Sequence, residues 1–178
     1  MIVGKKVSLR AVESKDLEQL RDWRNIEGFR KNFREHRELS MLNQQVWFEK
    51  MTASANDYMF SIVNSDTQEL IGAGGLLYIN WVIRSADYSF YIGKDGQYID
   101  QEGYAEEATR LLLKYGFEQL NLNKVWMELY EFDQAKIDFF TGKFAFKKDG
   151  VLRQNCFKDG KYHDSFLISL LKSEYSAK

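Results

Sequence analysis

The spacing of apolar residues changes period several times along this chain, and each change marks an element. Residues 7–10 alternate as a first strand. Ser14 is placed to cap a following helix, with Asp16 and Glu18 in its first turn and Leu17, Leu20 and Trp23 as its apolar stripe. Ser40 is placed to cap a second helix running to Met51, with Val46, Trp47 and Met51 inward. Residues 58–63 predict a strand, residues 64–68 its turn, and residues 70–79 the next strand. Gly72, Gly74 and Gly75 weaken that strand and predict a bulge or a close backbone contact. In a strand over residues 86–92, Asp87, Ser89 and Tyr91 share one face and Tyr88, Phe90 and Ile92 the other.

A loop over residues 93–102 then enters the stretch that organises the chain. Gly103-Tyr104-Ala105 precedes Ala108, Leu111, Leu112, Tyr115 and Leu120, which recur at helical spacing. Glu102, Glu106 and Glu107 fall around the first turn, where negative side chains suit the positive end of a helix dipole. The first N–H groups of a helix have no partners inside it. Small residues there make an anion site suited to a phosphate or pyrophosphate, although most such segments simply start a helix. A strand over residues 124–130, a helix from about Asp133 to Thr141 and a final hairpin complete the chain. Asp159-Gly160 favours the type I′ turn of such a hairpin.

In this order the pieces resemble the GNAT acetyltransferases, and within them the RimJ/RimL-like branch. The family pyrophosphate motif, Gln/Arg-x-x-Gly-x-Gly/Ala, falls on Asp100-Gln101-Glu102-Gly103-Tyr104-Ala105. Gly103 and Ala105 match it and Asp100 does not. The C-terminal GVLRQ, KDGKYHD and SLLKSEY segments are also similar to this branch, as is Asp22-Trp23-Arg24-Asn25. The resemblance implies an α+β fold, with a GNAT-like mixed, mainly antiparallel sheet flanked by helices, in one domain over residues 1–178. It implies that the strands at Ala86 and Lys124 are parallel neighbours, that acetyl-CoA is the cofactor, and that no metal is required.

Composition narrows the surroundings. The chain has 178 residues, 44% hydrophobic and 29% charged, which is globular composition for one domain of ordinary size. Cys156 is the only cysteine, so no internal disulfide forms, and it reads as a half-buried strand residue. The opening MIVGKKVSLR lacks the apolar core of a signal peptide, and the longest apolar stretch, residues 70–83, is too short to span a bilayer. The expectation is a cytoplasmic monomer or homodimer. A net charge of −1 selects neither nucleic acid nor membrane. Residues 5–37 nevertheless hold ten Lys or Arg against six Asp or Glu. That excess is either a solvated helical face or a patch facing phosphates of substrate or cofactor.

Acetyl transfer from a thioester to an amine needs a held cofactor, a deprotonated amine, a donor to the oxyanion and a departing thiolate. The resemblance assigns the first task to backbone N–H groups of Gln101, Glu102, Gly103, Tyr104 and Ala105. It adds the point where the strand at residues 86–92 splays from its neighbour, at Tyr91 and Ile92, where an N–H would serve the oxyanion. Asp133 and Phe140 complete the expected cofactor contacts. Asp87 stands where this branch often carries a glutamate; it is the candidate proton acceptor, and reads equally as a solvent-facing carboxylate. His36 and His163 read as an exposed loop residue and a structural one.

The leaving-group acid is where the chain departs from the family, which often has a tyrosine there. Aligned from the N-terminal side of FDQAKIDFFTGKFAF, the position is Phe140; aligned back from Ala145-Phe146, it is Thr141. Thr141 or a water is then the candidate donor, and a slow or silent enzyme is the other outcome. An α-amine, with a pKa of about 8, needs little help to deprotonate, whereas a polyamine or lysine amine near about 10 costs about 3 kcal/mol more. The expected acceptor is a protein N-terminal α-amine. The alternatives are a nucleotide-linked amino sugar, because the Trp23-Arg24-Asn25 segment also resembles acetyltransferases of that kind, and an acyl-CoA-binding domain with weak turnover.

Overall fold

The computed structural model describes residues 1–175. Its strands are β1 (Ile2–Val3), β2 (Val7–Ala11), β3 (Tyr58–Asn64), β4 (Leu70–Asn80), β5 (Ser85–Ile92), β6 (Lys124–Tyr130), β7 (Lys147–Lys158) and β8 (Lys161–Leu171). They form one sheet in the order β1-β2-β3-β4-β5-β6-β8-β7. Every neighbouring pair is antiparallel except β5 and β6. Five helices accompany it among the described residues: α1 (Leu17–Asn25), α2 (Glu27–Arg30), α3 (Met41–Ala53), α4 (Tyr104–Lys114) and α5 (Gln134–Asp138).

The α4 helix is the crossover between the two parallel strands, as a parallel pair requires. Its inner face, Ala105, Ala108, Leu112 and Leu113, is buried with Tyr88, Phe90 and Ile92 of β5 and Val125, Met127 and Leu129 of β6. Alternation sends the intervening Tyr91 to the opposite face, where it meets Leu20 and Trp23 of α1 and Phe29 of α2. The close approach expected of the β4 glycines is present: a Cβ on Gly72 would lie 2.3 Å from the Tyr91 carbonyl oxygen. The final hairpin turns at Asp159 and Gly160 with φ of 50° and 78°, the left-handed pair that a type I′ turn needs.

Three local expectations change. The turn into α1 is capped from Glu13 rather than Ser14: the Glu13 N–H donates to Asp16, whose buried carboxylate also takes two bonds from Arg10. In α3 the Ser40 cap forms, but Val46 is 40% exposed and Gln44 is buried in its place. The helix that ends at Thr141 in the pattern is α5 followed by a π turn over Phe139–Lys143. No helix among the described residues is long and apolar enough to cross a membrane.

Candidate active site

Gly103 sits at φ +88° immediately before α4, a backbone conformation that glycine reaches without strain. The turn it makes aims the first N–H groups of α4 back at the loop. Two of them are engaged: Tyr104 N–H and Ala105 N–H donate to the Asp100 carboxylate at 2.7 and 2.6 Å. This carboxylate occupies positions suited to phosphate oxygens, so the helix end holds an anion supplied by the chain itself. Lys6 Nζ donates to the Glu102 carbonyl at 2.6 Å and stands 3.2 Å from where a Cβ on Gly103 would lie, which adds positive charge beside the turn. The side chains of Gln101 and Glu102 are exposed.

The strands β5 and β6 pair from Ser85–Lys124 to Asp87–Trp126 and then separate. β6 continues against β8, and β5 runs on to Ile92 with no strand paired on that edge. Peptide groups along β5 alternate across its two edges. Gly93 N–H donates to Ile71 in β4, so odd positions face β4. The Phe90 carbonyl and the Ile92 N–H face the gap, where they meet Lys136 Nζ at 2.9 Å and the Tyr98 carbonyl at 3.3 Å. The expectation for Tyr91 is thereby corrected. Its peptide faces β4, and its phenol is buried and donates to the Leu20 carbonyl at 3.3 Å. Phe90 is the residue whose peptide groups take the position expected of it.

At the head of the gap, Asp87 is buried rather than solvent-facing. Arg34 Nη1 lies 2.7 Å from its carboxylate, and Arg34 Nε lies 3.4 Å from Glu128 on β6. Burial pushes the Asp87 carboxyl above the usual carboxylate range, and Arg34 opposes that shift. These three residues line a cavity of about 260 Å³ together with Lys136 and Phe140. Burial pulls the Lys136 amine down to about 8, with Asp133 opposing.

Phe140 and Thr141, the two candidates for the family's tyrosine position, both lie within the π turn Phe139–Lys143. Phe140 is fully buried against Tyr88, Phe90 and Phe146. Thr141 is exposed, its hydroxyl turned back to the Ile137 carbonyl at 2.8 Å, and it does not line the cavity beside Asp87. Asp133 caps α5, accepting Lys136 N–H at 3.3 Å and the Tyr98 hydroxyl at 3.0 Å. His163 is buried and bonded to Glu131, and His36 is exposed, as expected of both.

A second cavity of about 440 Å³ lies on the α1 and α3 side of the sheet and shares Arg24, Glu35 and Trp47 with the first. Arg24, Arg37 and Lys50 line it against a single carboxylate, Glu35, with Trp47 and Tyr91 as aromatic walls. Glu35 is engaged by Arg37 through two bonds, at 2.9 and 2.7 Å. Arg24 Nε is buried without a hydrogen-bond partner. The sequence marked Arg24 through the Trp23-Arg24-Asn25 resemblance, counted Arg34 only as a member of a basic stretch, and passed over Glu128 and Lys136. Long-range pairing gives no local signal, but strand alternation on β6 places Glu128 on the face opposite Met127.

Residues 6–140 match the family described as the acetyltransferase (GNAT) domain, and the chain belongs to that family. It is 32% identical over 117 residues to the uncharacterized N-acetyltransferase p20 of Bacillus licheniformis, covering 66% of this chain and 64% of that one. It is 24% identical over 173 residues to the spermidine N(1)-acetyltransferase of Vibrio cholerae, covering 97% of each. A crystal structure of spermidine N-acetyltransferase from Vibrio cholerae in complex with CoA and spermine superposes with a TM-score of 0.84 at 25% identity, covering 95% of this chain and 97% of that one. The class is therefore an acetyl-CoA-dependent N-acetyltransferase, and the mainly antiparallel sheet is the GNAT fold. The RimJ/RimL-like branch has thinner support, a 26% match to the putative ribosomal N-acetyltransferase YdaF of Bacillus subtilis.

Proposed function

We propose that this chain acetylates the primary amine of a small molecule that also carries a negative group, a phosphate-bearing amino sugar being the acceptor that fits best. One observation carries this reading: the cavity of about 440 Å³ beside the gap is lined by Arg24, Arg37 and Lys50 against Glu35 alone. Arg24 Nε, buried and unpartnered, is suited to an anionic oxygen. Trp47 and Tyr91 offer flat apolar walls to a ring. A polyamine would bring several positive charges into this lining, so the polyamine substrates named for related enzymes do not transfer readily. The charge of this lining is our reason to put the amino sugar ahead of the protein α-amine, the reverse of the order expected from sequence. The α-amine remains the second reading because of the similarity to YdaF.

Within this reading, acetyl-CoA supplies an activated acetyl group as its thioester. The α4 N-terminus, Gly103 and Lys6 would hold its pyrophosphate, and the strand-free β5 edge, where Lys136 Nζ and the Tyr98 carbonyl now engage Phe90 and Ile92, would receive its pantetheine arm. The α4 end fits this task because it already holds a carboxylate, that of Asp100, which the pyrophosphate would displace. Asp87 accepts the proton of the incoming amine, and its raised pKa makes it a better base than an exposed carboxylate. Thiol release from acetyl-CoA, measured against sugar-phosphate amines, nucleotide-linked amino sugars, N-terminal peptides and polyamines, tests the proposal. Turnover confined to peptides or polyamines would overturn it. Acetyl-CoA binding without turnover on any amine would favour a silent binding domain.

A further inference from the structure

Lys136 is the buried charge that the expected chemistry leaves without a task. It lies on α5 and is 7% exposed. Its Nζ donates to the Phe90 carbonyl at 2.9 Å, on the strand-free edge of β5. The rings of Tyr98, Phe90 and Phe33 surround it, with centroids 4.5, 5.2 and 5.7 Å away. An ammonium has three donors to satisfy, and burying one without a contacting carboxylate costs stability. A methionine would fill the same channel without that cost, so packing does not explain a lysine.

Its position does. Lys136 and Phe140 stand four residues apart and line the same cavity as Asp87. Phe140 is where the N-terminal register of the family places a tyrosine, and a phenyl ring carries no proton to give. Three hydroxyls near the gap are committed, Tyr98 to Asp133, Tyr88 to Thr109 and Thr141 to Ile137, while Tyr78 and Ser89 line the cavity on the side of β4 and β5 rather than on the α5 segment, where the family's tyrosine falls. We propose that Lys136 is the proton donor to the departing thiolate, replacing from one helical turn away the tyrosine that this chain lacks.

The step balances. The amine nitrogen forms a bond to the acetyl carbon, and the carbon–sulfur bond breaks with its electron pair on sulfur. Lys136 gives that sulfur one proton. The proton shed by the new amide nitrogen, taken first by Asp87, replaces it through solvent, so no other reactant is required. The ionisable groups around the lysine suit this cycle. Asp133 faces it from its own helix, Tyr98 from the loop before Gly103, Arg24 from α1, Asp87 from β5, and Arg34, Glu35 and Glu128 from the rest of the cavity. Desolvation outweighs the carboxylates and brings the amine to about 8, close to the pKa of about 8.5 of a thiol. Donor and leaving group are matched within about one unit, as efficient proton transfer favours.

The first readout needs no acetyl-CoA. NMR titration of the Lys136 side chain in the free protein should give a midpoint near 8; a midpoint above 10 overturns the proposal. The second compares Lys136→Met and Lys136→Arg. Both should bind acetyl-CoA within about threefold of wild type by calorimetry, and both should lose about 10²-fold in kcat. The alkaline limb of the pH–rate profile should disappear in both. Arginine keeps the charge but not the releasable proton, so full activity in Lys136→Arg would reduce the lysine to an electrostatic anchor and overturn the proposal. Loss confined to acetyl-CoA affinity, with kcat intact, would also overturn it. If Lys136→Met does not fold, kcat and the pH–rate profile of Lys136→Arg still decide.

Discussion

Arg34 Nη1 stands 2.7 Å from the Asp87 carboxylate across 53 residues of sequence, and it joins the segment after α2 to the head of the β5/β6 gap. Arg34 keeps Glu128 as a second partner and is 46% exposed, so it survives the loss of Asp87 without becoming an orphaned buried charge. The Asp87 carboxyl titrates higher in the folded chain than in the unfolded one. Its neutral form therefore stabilises the fold at low pH, and that contribution is lost as pH rises through the folded pKa. Asp87→Asn keeps the shape, removes this titration and leaves Arg34 its second partner, so stability should stay within about 1 kcal/mol by denaturant titration. Turnover should fall about 10²-fold, less at high pH where more of the amine is already neutral. Equal rates and equal pH profiles would make Asp87 a bystander.

Gly103→Val forces a β-branched residue into φ +88° and brings its side chain toward Lys6 Nζ. Acetyl-CoA binding should drop below detection by calorimetry, with a stability loss of about 1–3 kcal/mol. A folded variant with unchanged affinity would remove the pyrophosphate from this turn.

Asp100 accepts the Tyr104 and Ala105 N–H groups that an incoming pyrophosphate needs. Asp100→Asn retains a cap but not the competing charge. Acetyl-CoA should then bind about two- to fivefold more tightly, the size of one charge at a helix end. The gain should shrink in high salt. Weaker binding in Asp100→Asn would mean that the carboxylate shapes the loop for the cofactor rather than competing with it.

Lys136 titrates near 8 in the folded chain against an ordinary value of 10.5. Between those values the unfolded chain holds more protons, so this group makes stability climb as pH rises from about 8 to 10.5. Lys136→Met should flatten that part of the stability curve and gain about 1–3 kcal/mol at pH 7, the hydrogen bond to Phe90 offsetting part of the full shift. A destabilised variant with the same pH slope as wild type would show that the lysine is held as a structural contact.

Much of the fold was legible in the sequence because its signals are local. The α4 stripe, the Gly103 turn, the Ser40 cap and the Asp159-Gly160 hairpin each depend on neighbouring residues, and each formed. The parallel β5/β6 pair followed from the family resemblance and was found. The site was harder to read because its parts meet across the chain. Asp87 read equally as a proton acceptor and as a solvent-facing carboxylate, and only the fold buries it beside Arg34 and Glu128. Asp100 looked like a motif mismatch, and only the geometry of the loop turns it onto two N–H groups. Tyr91 was misassigned because alternation fixes side-chain faces within one strand, whereas the direction of its peptide depends on which edge β4 occupies. The choice between Phe140 and Thr141 could not be made from the sequence, because only packing shows Phe140 buried against Tyr88 and Phe90 and the Thr141 hydroxyl turned away to Ile137. Lys136 gave no signal at all, being one lysine on a short helix.

The central claim is that an anionic group on the acceptor is read by Arg24, Arg37 and Lys50 while its amine reaches Asp87. The most direct test is kcat/KM for a phosphate-bearing amino sugar against the same sugar without phosphate, with spermidine in parallel. One charge-assisted contact is worth about 1.5–3 kcal/mol, so the phosphate-bearing acceptor should lead by about ten- to hundredfold. Arg24→Gln should erase most of that lead while leaving the neutral sugar unchanged. Equal values with and without phosphate, or a preference for spermidine, would contradict the account.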